Sequence, residues 1–172
     1  MNYLLSILIT TIISIYSFSV QTLNGNTVSL SSYSGKKMLL VNIATGSPYK
    51  QQIAELQQLY NQYHDSLQII AFPSNSFGHE PKDSAQLVQY FTDSVQVSFP
   101  VATLTYVSGN NLYPVYSWLA NTAANGVSDV KITKDYQKIL IDETGKITGL
   151  FNSRVSPLDS VIQNAIHRHI NQ

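Results

Sequence analysis

Two continuous apolar runs, separated by a stretch with helical periodicity, dominate the hydrophobic pattern of the chain. The runs are MLLVNI at 38–43 and LQIIAF at 67–72. Runs of this kind are typical of strands that are covered on both faces of a parallel sheet. Between them, Ile53, Leu56 and Tyr63 recur at helical spacing. The pattern therefore predicts a strand, a helix and a second parallel strand, which together form a βαβ unit.

Shorter elements are predicted on both sides of this unit. Asn24-Gly25 between apolar residues predicts a tight N-terminal β-hairpin. A second hairpin is predicted from 139–141 and 147–151, which flank a turn at Gly145. The other predicted elements are a helix capped by Asp83 and Gln86 that runs to Phe91, a strand at 101–107, a helix at 114–123, and a last helix from Ser156-Pro157 to about Ile170 with Leu158, Val161, Ile162, Ala165 and Ile166 as its apolar face. We expect one α/β domain, with a mixed central sheet and helices on both faces.

The first 14 residues, MNYLLSILITTIIS, form an apolar leader without a charge. Its length suits the core of a signal peptide and is too short to span a bilayer. The n-region carries no Lys or Arg, and no Ala-x-Ala cleavage site follows. An additional buried strand or helix of the domain is therefore the alternative. We expect a leader at 1–14 and a domain at 15–172, in a protein that is periplasmic or extracellular if the leader is a signal peptide and cytoplasmic otherwise.

Composition narrows the chemistry that this chain can perform. Ten basic and ten acidic residues give a formal net charge of zero, which argues against a nucleic-acid partner. The absence of cysteine excludes disulfides, thiolate metal sites and thiol chemistry. We predict no metal and no cofactor, because the four histidines lack a ligand pattern and His79 is expected on a surface loop. The composition leaves the oligomeric state open.

Several motifs carry a resemblance to a known family. LVNIAT at 40–45 resembles the strand that leads to the active site of glutathione peroxidases, and FPSNSFG at 72–78 resembles their second signature, with Glu80-Pro81 following as in the family. Pro114-Val115-Tyr116 continues the match, which extends over about 15–170. The resemblance implies a thioredoxin-like fold and the reduction of hydroperoxides in response to oxidative stress.

The residues that carry peroxidase chemistry in this family are replaced here. The resemblance places Ser47 where the family has its attacking cysteine or selenocysteine, and Ser76 where the family has a glutamine. Counting back from YQKILID at 136–142 puts Lys134 and Asp135 at the Trp and Asn positions. Aligning forward from Asp129 would instead put Ile132 and Thr133 there. Neither register supplies a Trp or an Asn.

Serine cannot replace a peroxidatic thiol, because its hydroxyl stays protonated and forms no counterpart of a sulfenic acid. We therefore predict a pseudoenzyme that binds a partner, a thiol reductant or another small ligand in the old cleft. The alternatives are an active peroxidase, as the resemblance implies, a Ser47–Lys134 hydrolase, and an exported domain with a purely structural role. The structural interpretation of Ser47 is an N-cap, with Pro48 in the first turn of the following helix.

Overall fold

The computed structural model describes residues 12–168. Residues 1–11 of the leader and residues 169–172, which include the predicted end of the last helix at Ile170, lie outside this range. The strands are β1 (Ser19–Gln21), β2 (Thr27–Ser29), β3 (Lys37–Ile43), β4 (Leu67–Pro73), β5 (Lys138–Ile141) and β6 (Ile147–Phe151). The helices are α1 (Gln52–Tyr63), α2 (Ser84–Gln89), α3 (Pro114–Leu119), α4 (Thr122–Asn125) and α5 (Ser160–His167).

The central sheet is mixed and has the strand order β4-β3-β5-β6. β3 is parallel to β4 and antiparallel to β5, and β6 is antiparallel to β5. Alternate residues of β3 face opposite layers: Leu39 packs in one core with α1 and α5, and Leu40 packs in the other with α3 and the N-terminal hairpin. This arrangement confirms the predicted βαβ unit, the mixed sheet and the helices on both faces.

The N-terminal hairpin and the capped helix are confirmed, with differences at their ends. β1 and β2 pair antiparallel from Ser19–Ser29 to Gln21–Thr27, so the loop has five residues rather than a tight two-residue turn. Asp83 and Gln86 form a complete capping box at the start of α2. The helix then continues beyond Phe91 as a π-helical segment, Tyr90–Val95, and ends where Gln96 adopts a left-handed φ of 52°.

The strand predicted at 101–107 is reduced to two isolated bridges. Val101 bridges Ala71 of β4, and Ala102 bridges Thr22 beside the N-terminal hairpin. The following residues leave the ladder, because the Thr103 N–H donates to the Gln21 carbonyl and the Thr105 N–H donates to the Pro73 carbonyl. This segment therefore connects the edge of the sheet to the hairpin and forms no strand of its own.

Two predicted helices begin or end elsewhere than the sequence suggested. The helix at 114–123 is interrupted after Leu119, because Asn121 caps a separate helix, α4, through the Ala123 N–H. α5 begins at Ser160 with Asp159 as its N-cap, three residues after the predicted N-cap Ser156. The Ser156 hydroxyl donates to Glu55 at 2.6 Å, and its Oγ accepts the Leu158 N–H at 3.1 Å in the turn before the helix. Val161 is 48% exposed, so its assignment to the apolar face of this helix was wrong.

The chain packs on the domain slightly before the predicted boundary at Ile15. The Ile13 N–H donates to the Ala124 carbonyl at 2.7 Å, and the indole N–H of Trp118 donates to the Ile13 carbonyl at 2.7 Å. Ile15 itself is completely buried. Between residues 12 and 168, no helix has the length and apolar character needed to cross a membrane. The function of residues 1–14 as a signal peptide stays a prediction.

Candidate functional site

A small pocket lies where the loop after β3 meets two other loops of the domain. Its volume is about 290 Å³. Three of the four predicted site residues, Ser47, Lys134 and Asp135, line it. The other lining residues are Pro48, Tyr49, Phe77, His79 and Thr133. The pocket thus has an apolar wall and a polar wall with a hydroxyl, an imidazole, an ammonium and a carboxylate.

Ser47 lies in the turn that connects β3 to α1 and is only 2% exposed. Its Oγ accepts the Tyr49 N–H at 3.3 Å, and its carbonyl accepts the Lys50 N–H at 3.1 Å. α1 begins only at Gln52, with Gln51 at the N-cap position. The predicted N-cap role for α1 was therefore wrong, although the hydroxyl does stabilise the turn that precedes this helix.

Lys134 and Asp135 reach the pocket because β3 holds their backbone. The Asn42 side-chain amide donates to the Lys134 carbonyl at 2.9 Å, and the Tyr136 N–H donates to the Asn42 carbonyl at 2.6 Å. Tyr136 adopts a left-handed φ of 60°. Its side chain is completely buried in the core that contains α1. The hydrogen bonds to β3 and the buried Tyr136 ring together fix the backbone at Asp135, and so fix the direction in which its side chain points.

A second carboxylate ties the Ser47 loop to the loop after β4. Glu80 is 4% exposed and accepts the Thr45 N–H at 2.8 Å and the Thr45 hydroxyl at 2.6 Å. The Gly46 N–H donates to the backbone carbonyl of His79 at 2.9 Å. These bonds place the His79 and Ser47 loops side by side.

We expect Glu80→Gln to lower the free energy of unfolding by about 1 kcal/mol, because the neutral amide offers one oxygen where the carboxylate offers two. Urea denaturation monitored by tryptophan fluorescence measures the change. Asp65→Asn is the matched control, since the Asp65 side chain is 97% exposed. An equal effect of the two substitutions would contradict the role of Glu80.

A hydrogen-bonded contact joins His79 and Asp135, and the sequence did not predict it. His79 Nδ1 lies 2.6 Å from Asp135 Oδ2, with side-chain exposures of 48% and 3%. The other carboxylate oxygen, Oδ1, is buried without a hydrogen-bond partner among the described residues. His79 lies on an exposed loop, as expected, but the carboxylate beside it was not foreseen. Its position beside the second signature and the back-counted register of Asp135 were the two signals that could have found the pair.

Ser76, the fourth predicted site residue, does not line this pocket. Its Oγ accepts a hydrogen bond from Ser74 Oγ at 2.9 Å and lies within hydrogen-bond distance of the Val107 and Ser108 N–H groups. These contacts organise the loop after β4. Ser76 therefore stabilises the loop that carries Phe77, and it does not contribute its hydroxyl to the pocket.

Lys134, the cationic residue of the pocket, does not make the hydrogen bond to serine that a Ser–Lys hydrolase needs. Lys134 is exposed, and its ammonium makes no hydrogen bond with Ser47 or any other residue from 12 to 168. Of the two registers, the back-counted one places both of its residues on the pocket wall, whereas Ile132 of the other lies in the core.

The sheet order and the two helical layers define a thioredoxin-like fold. The crystal structure of the protein called Trgpx, in its apo form, matches with a TM-score of 0.67 and 29% sequence identity, over 89% of this chain and 93% of that one. A thiol:disulfide interchange protein from Chlorobium tepidum shares the fold with a TM-score of 0.65 and 21% identity, over 91% of this chain and 97% of the other.

The chain belongs to the glutathione peroxidase family. The family's sequence profile, described as glutathione peroxidase, matches residues 15–120. A protein of Mesembryanthemum crystallinum called "Probable phospholipid hydroperoxide glutathione peroxidase" is 37% identical over 151 residues, which cover 84% of this chain and 86% of that protein. The "Glutathione peroxidase homolog BsaA" of Staphylococcus epidermidis is 37% identical over 146 residues, which cover 84% and 92%. The resemblance seen in the sequence is thereby confirmed.

Proposed function

We propose that this protein is a glutathione-peroxidase-family member without thiol peroxidase turnover, which binds a small ligand in the pocket around Ser47. The single observation that carries the proposal is that Ser47, which the resemblance aligns with the family's attacking position, lines a pocket in a chain with no cysteine. The family's electron transfer needs a thiolate or selenolate that peroxide oxidises. No residue of this chain supplies one.

The surroundings of Ser47 support the same conclusion. Trp118, the single tryptophan of the chain, lies in α3 and donates its indole N–H to the Ile13 carbonyl. It is therefore not a donor to the pocket. The donors and acceptors that do line the pocket, His79, Lys134 and Asp135, suit the recognition of a polar ligand. The names of the relatives refer to peroxidases and support a cleft that once accepted hydroperoxides and thiols.

A comparison of the wild-type chain with Ser47→Cys tests this function. We expect no hydroperoxide consumption above background by the full wild-type chain, with either glutathione or thioredoxin as reductant. We expect Ser47→Cys to react with about one equivalent of hydrogen peroxide and to carry a sulfenic acid at residue 47, detected as a dimedone adduct by mass spectrometry. Ser94→Cys, at an exposed serine, is the matched control and should react much more slowly.

Binding is measured separately with glutathione as the probe. We expect glutathione to shift the amide NMR signals of His79 and Lys134 in wild type, and to leave those around the exposed His64 unchanged. Peroxide turnover by wild type would contradict the loss of peroxidase chemistry. The absence of any shift at the pocket would contradict the binding role of the cleft.

A further inference from the structure

The pocket contains the three side-chain types of a serine hydrolase. Ser47, His79 and Asp135 all line it, although they come from three separate loops. In this kind of site a carboxylate orients an imidazole, and the imidazole takes the proton of the serine hydroxyl. Such constellations are recognised by geometry and by the role of each residue, since they occur on unrelated folds in different chain orders.

The contact between Asp135 and His79 provides the first part of this geometry. Asp135 is almost completely buried and holds Nδ1 of His79 at 2.6 Å. A carboxylate accepts hydrogen bonds and does not donate them, so Nδ1 must carry the proton. The neutral ring then has an unprotonated Nε2, which is the tautomer that a general base requires. The unpaired Oδ1 of Asp135 leaves this buried carboxylate able to stabilise the imidazolium that forms during reaction.

The position of the Ser47 loop provides the second part. The Gly46 N–H is bonded to the His79 carbonyl, so the residue before Ser47 touches the backbone of the base. The Ser47 Oγ accepts one backbone N–H and donates its own proton to none of the described residues. It makes no hydrogen bond to His79 in this structure. Contacts of this type are often long in the absence of substrate and shorten in the substrate complex.

From this geometry we infer that the pocket catalyses acyl transfer from a small activated ester to Ser47, with His79 as general base and Asp135 as its positioning residue. The activity rests on the same retained cleft as the proposed function. The volume of about 290 Å³, with Pro48, Tyr49 and Phe77 as apolar wall, suits a short acyl group. Lys134 lines the pocket, and its ammonium, which has no hydrogen-bond partner among the described residues, is available to the developing oxyanion.

The reaction balances without an oxidant or a reductant. Ser47 Oγ forms a bond to the acyl carbon while its proton passes to His79 Nε2. The bond from the acyl carbon to the leaving oxygen then breaks, and His79 returns the proton to that oxygen. Water, activated by the same imidazole, attacks the acyl group, and cleavage of the Ser47 ester regenerates the hydroxyl.

A fluorophosphonate probe tests the nucleophile on the full chain. Attack by Ser47 Oγ forms an O–P bond and expels fluoride, and peptide mapping by mass spectrometry locates the adduct. We expect labelling at Ser47 in wild type, none at this residue in Ser47→Ala, and at least a roughly hundredfold slower labelling in His79→Gln. His64→Gln is the matched control, because the His64 side chain is 58% exposed, contacts an exposed carboxylate and lies outside this pocket. It should label at the wild-type rate.

Hydrolysis of p-nitrophenyl acetate separates positioning from structure. We expect Asp135→Asn to lower kcat by roughly a hundredfold or more while KM stays within about twofold, since the amide that replaces the carboxylate would hold the wrong tautomer of His79. Thermal melts of each variant verify that it is folded. Labelling that is absent from Ser47 in wild type, or equally fast in His79→Gln, overturns the acyl-transfer inference. Neither result affects the peroxide and glutathione experiments, so the two proposals fail separately.

Discussion

Replacing Lys138 with Met is expected to lower the free energy of unfolding by about 3 kcal/mol at pH 7. Three buried acceptors would each lose a hydrogen bond worth about 2 kcal/mol, and the recovered cost of burying the ammonium offsets roughly half of this loss. Lys138 is completely buried in β5. Its ammonium donates to the Gln52 side-chain oxygen and to the backbone carbonyls of Tyr136 and Val155. This loss exceeds the roughly 3 kcal/mol returned when an ammonium no longer has to be buried.

The same residue gives stability a distinctive pH dependence. Burial lowers the pKa of Lys138 from 10.5 to about 8, and the nearby Glu55 carboxylate opposes this shift only in part. Between these two values the unfolded chain binds the extra proton, so stability rises with pH. This increment, which adds to the net stabilisation of about 3 kcal/mol at pH 7, is complete above pH 10.5 and is lost as the pH falls through about 8. The rise amounts to about 3 kcal/mol and is absent from the methionine variant.

Urea denaturation of wild type and Lys138→Met at steps between pH 7 and 10.5 measures both effects. The difference between the two proteins isolates Lys138, because tyrosine ionisation affects both alike. Burial raises the pKa of Tyr136, for example, so ionisation of this residue in the unfolded chain lowers stability at high pH in each. Lys50→Met, at an exposed position, is the control. A difference between wild type and Lys138→Met that does not change with pH would refute the burial of a titrating ammonium.

Replacing Gly46 with Ala is expected to cost about 2 kcal/mol and to abolish labelling of Ser47 by the fluorophosphonate. A Cβ at residue 46 would lie 2.7 Å from the His79 carbonyl oxygen and 3.4 Å from Pro81 Cδ. The nearer obstacle is backbone, so one of the two loops must move. That movement also breaks the Gly46 N–H bond to His79 and increases the separation between Ser47 and the imidazole.

Thermal denaturation and probe labelling of Gly46→Ala measure these two consequences. Gly25→Ala is the control, since Gly25 has a left-handed φ of 83° in the hairpin loop and a Cβ there would meet open space. It should lose about 1 kcal/mol through backbone strain alone and label normally. Normal labelling of a folded Gly46→Ala protein would show that the contact between the loops does not position the nucleophile.

The site illustrates why sequence patterns find scaffolds more readily than reaction centres. Ser47, Lys134 and Asp135 were located through the resemblance, because motifs keep their order along the chain. The contact of His79 with Asp135 joins residues 56 positions apart, so no local spacing could indicate it. Ser76 was placed in the site by its motif. Its Oγ instead accepts hydrogen bonds from Ser74 in its own loop and from Val107 in the adjoining loop. Motif position alone does not decide where a side chain points.

The sequence by itself determined the elements whose physical cause is local. The continuous apolar runs predicted β3 and β4, the helical periodicity predicted α1, and the capping box of Asp83 and Gln86 predicted the start of α2. The absence of cysteine settled the question of a protein thiol without any structure. The tertiary structure decided what depends on distant partners, namely the ammonium of Lys138 among three acceptors and the imidazole of His79 against Asp135. Such contacts form only when the sheet and its loops pack together, because their energies come from burial and direction rather than from spacing along the chain.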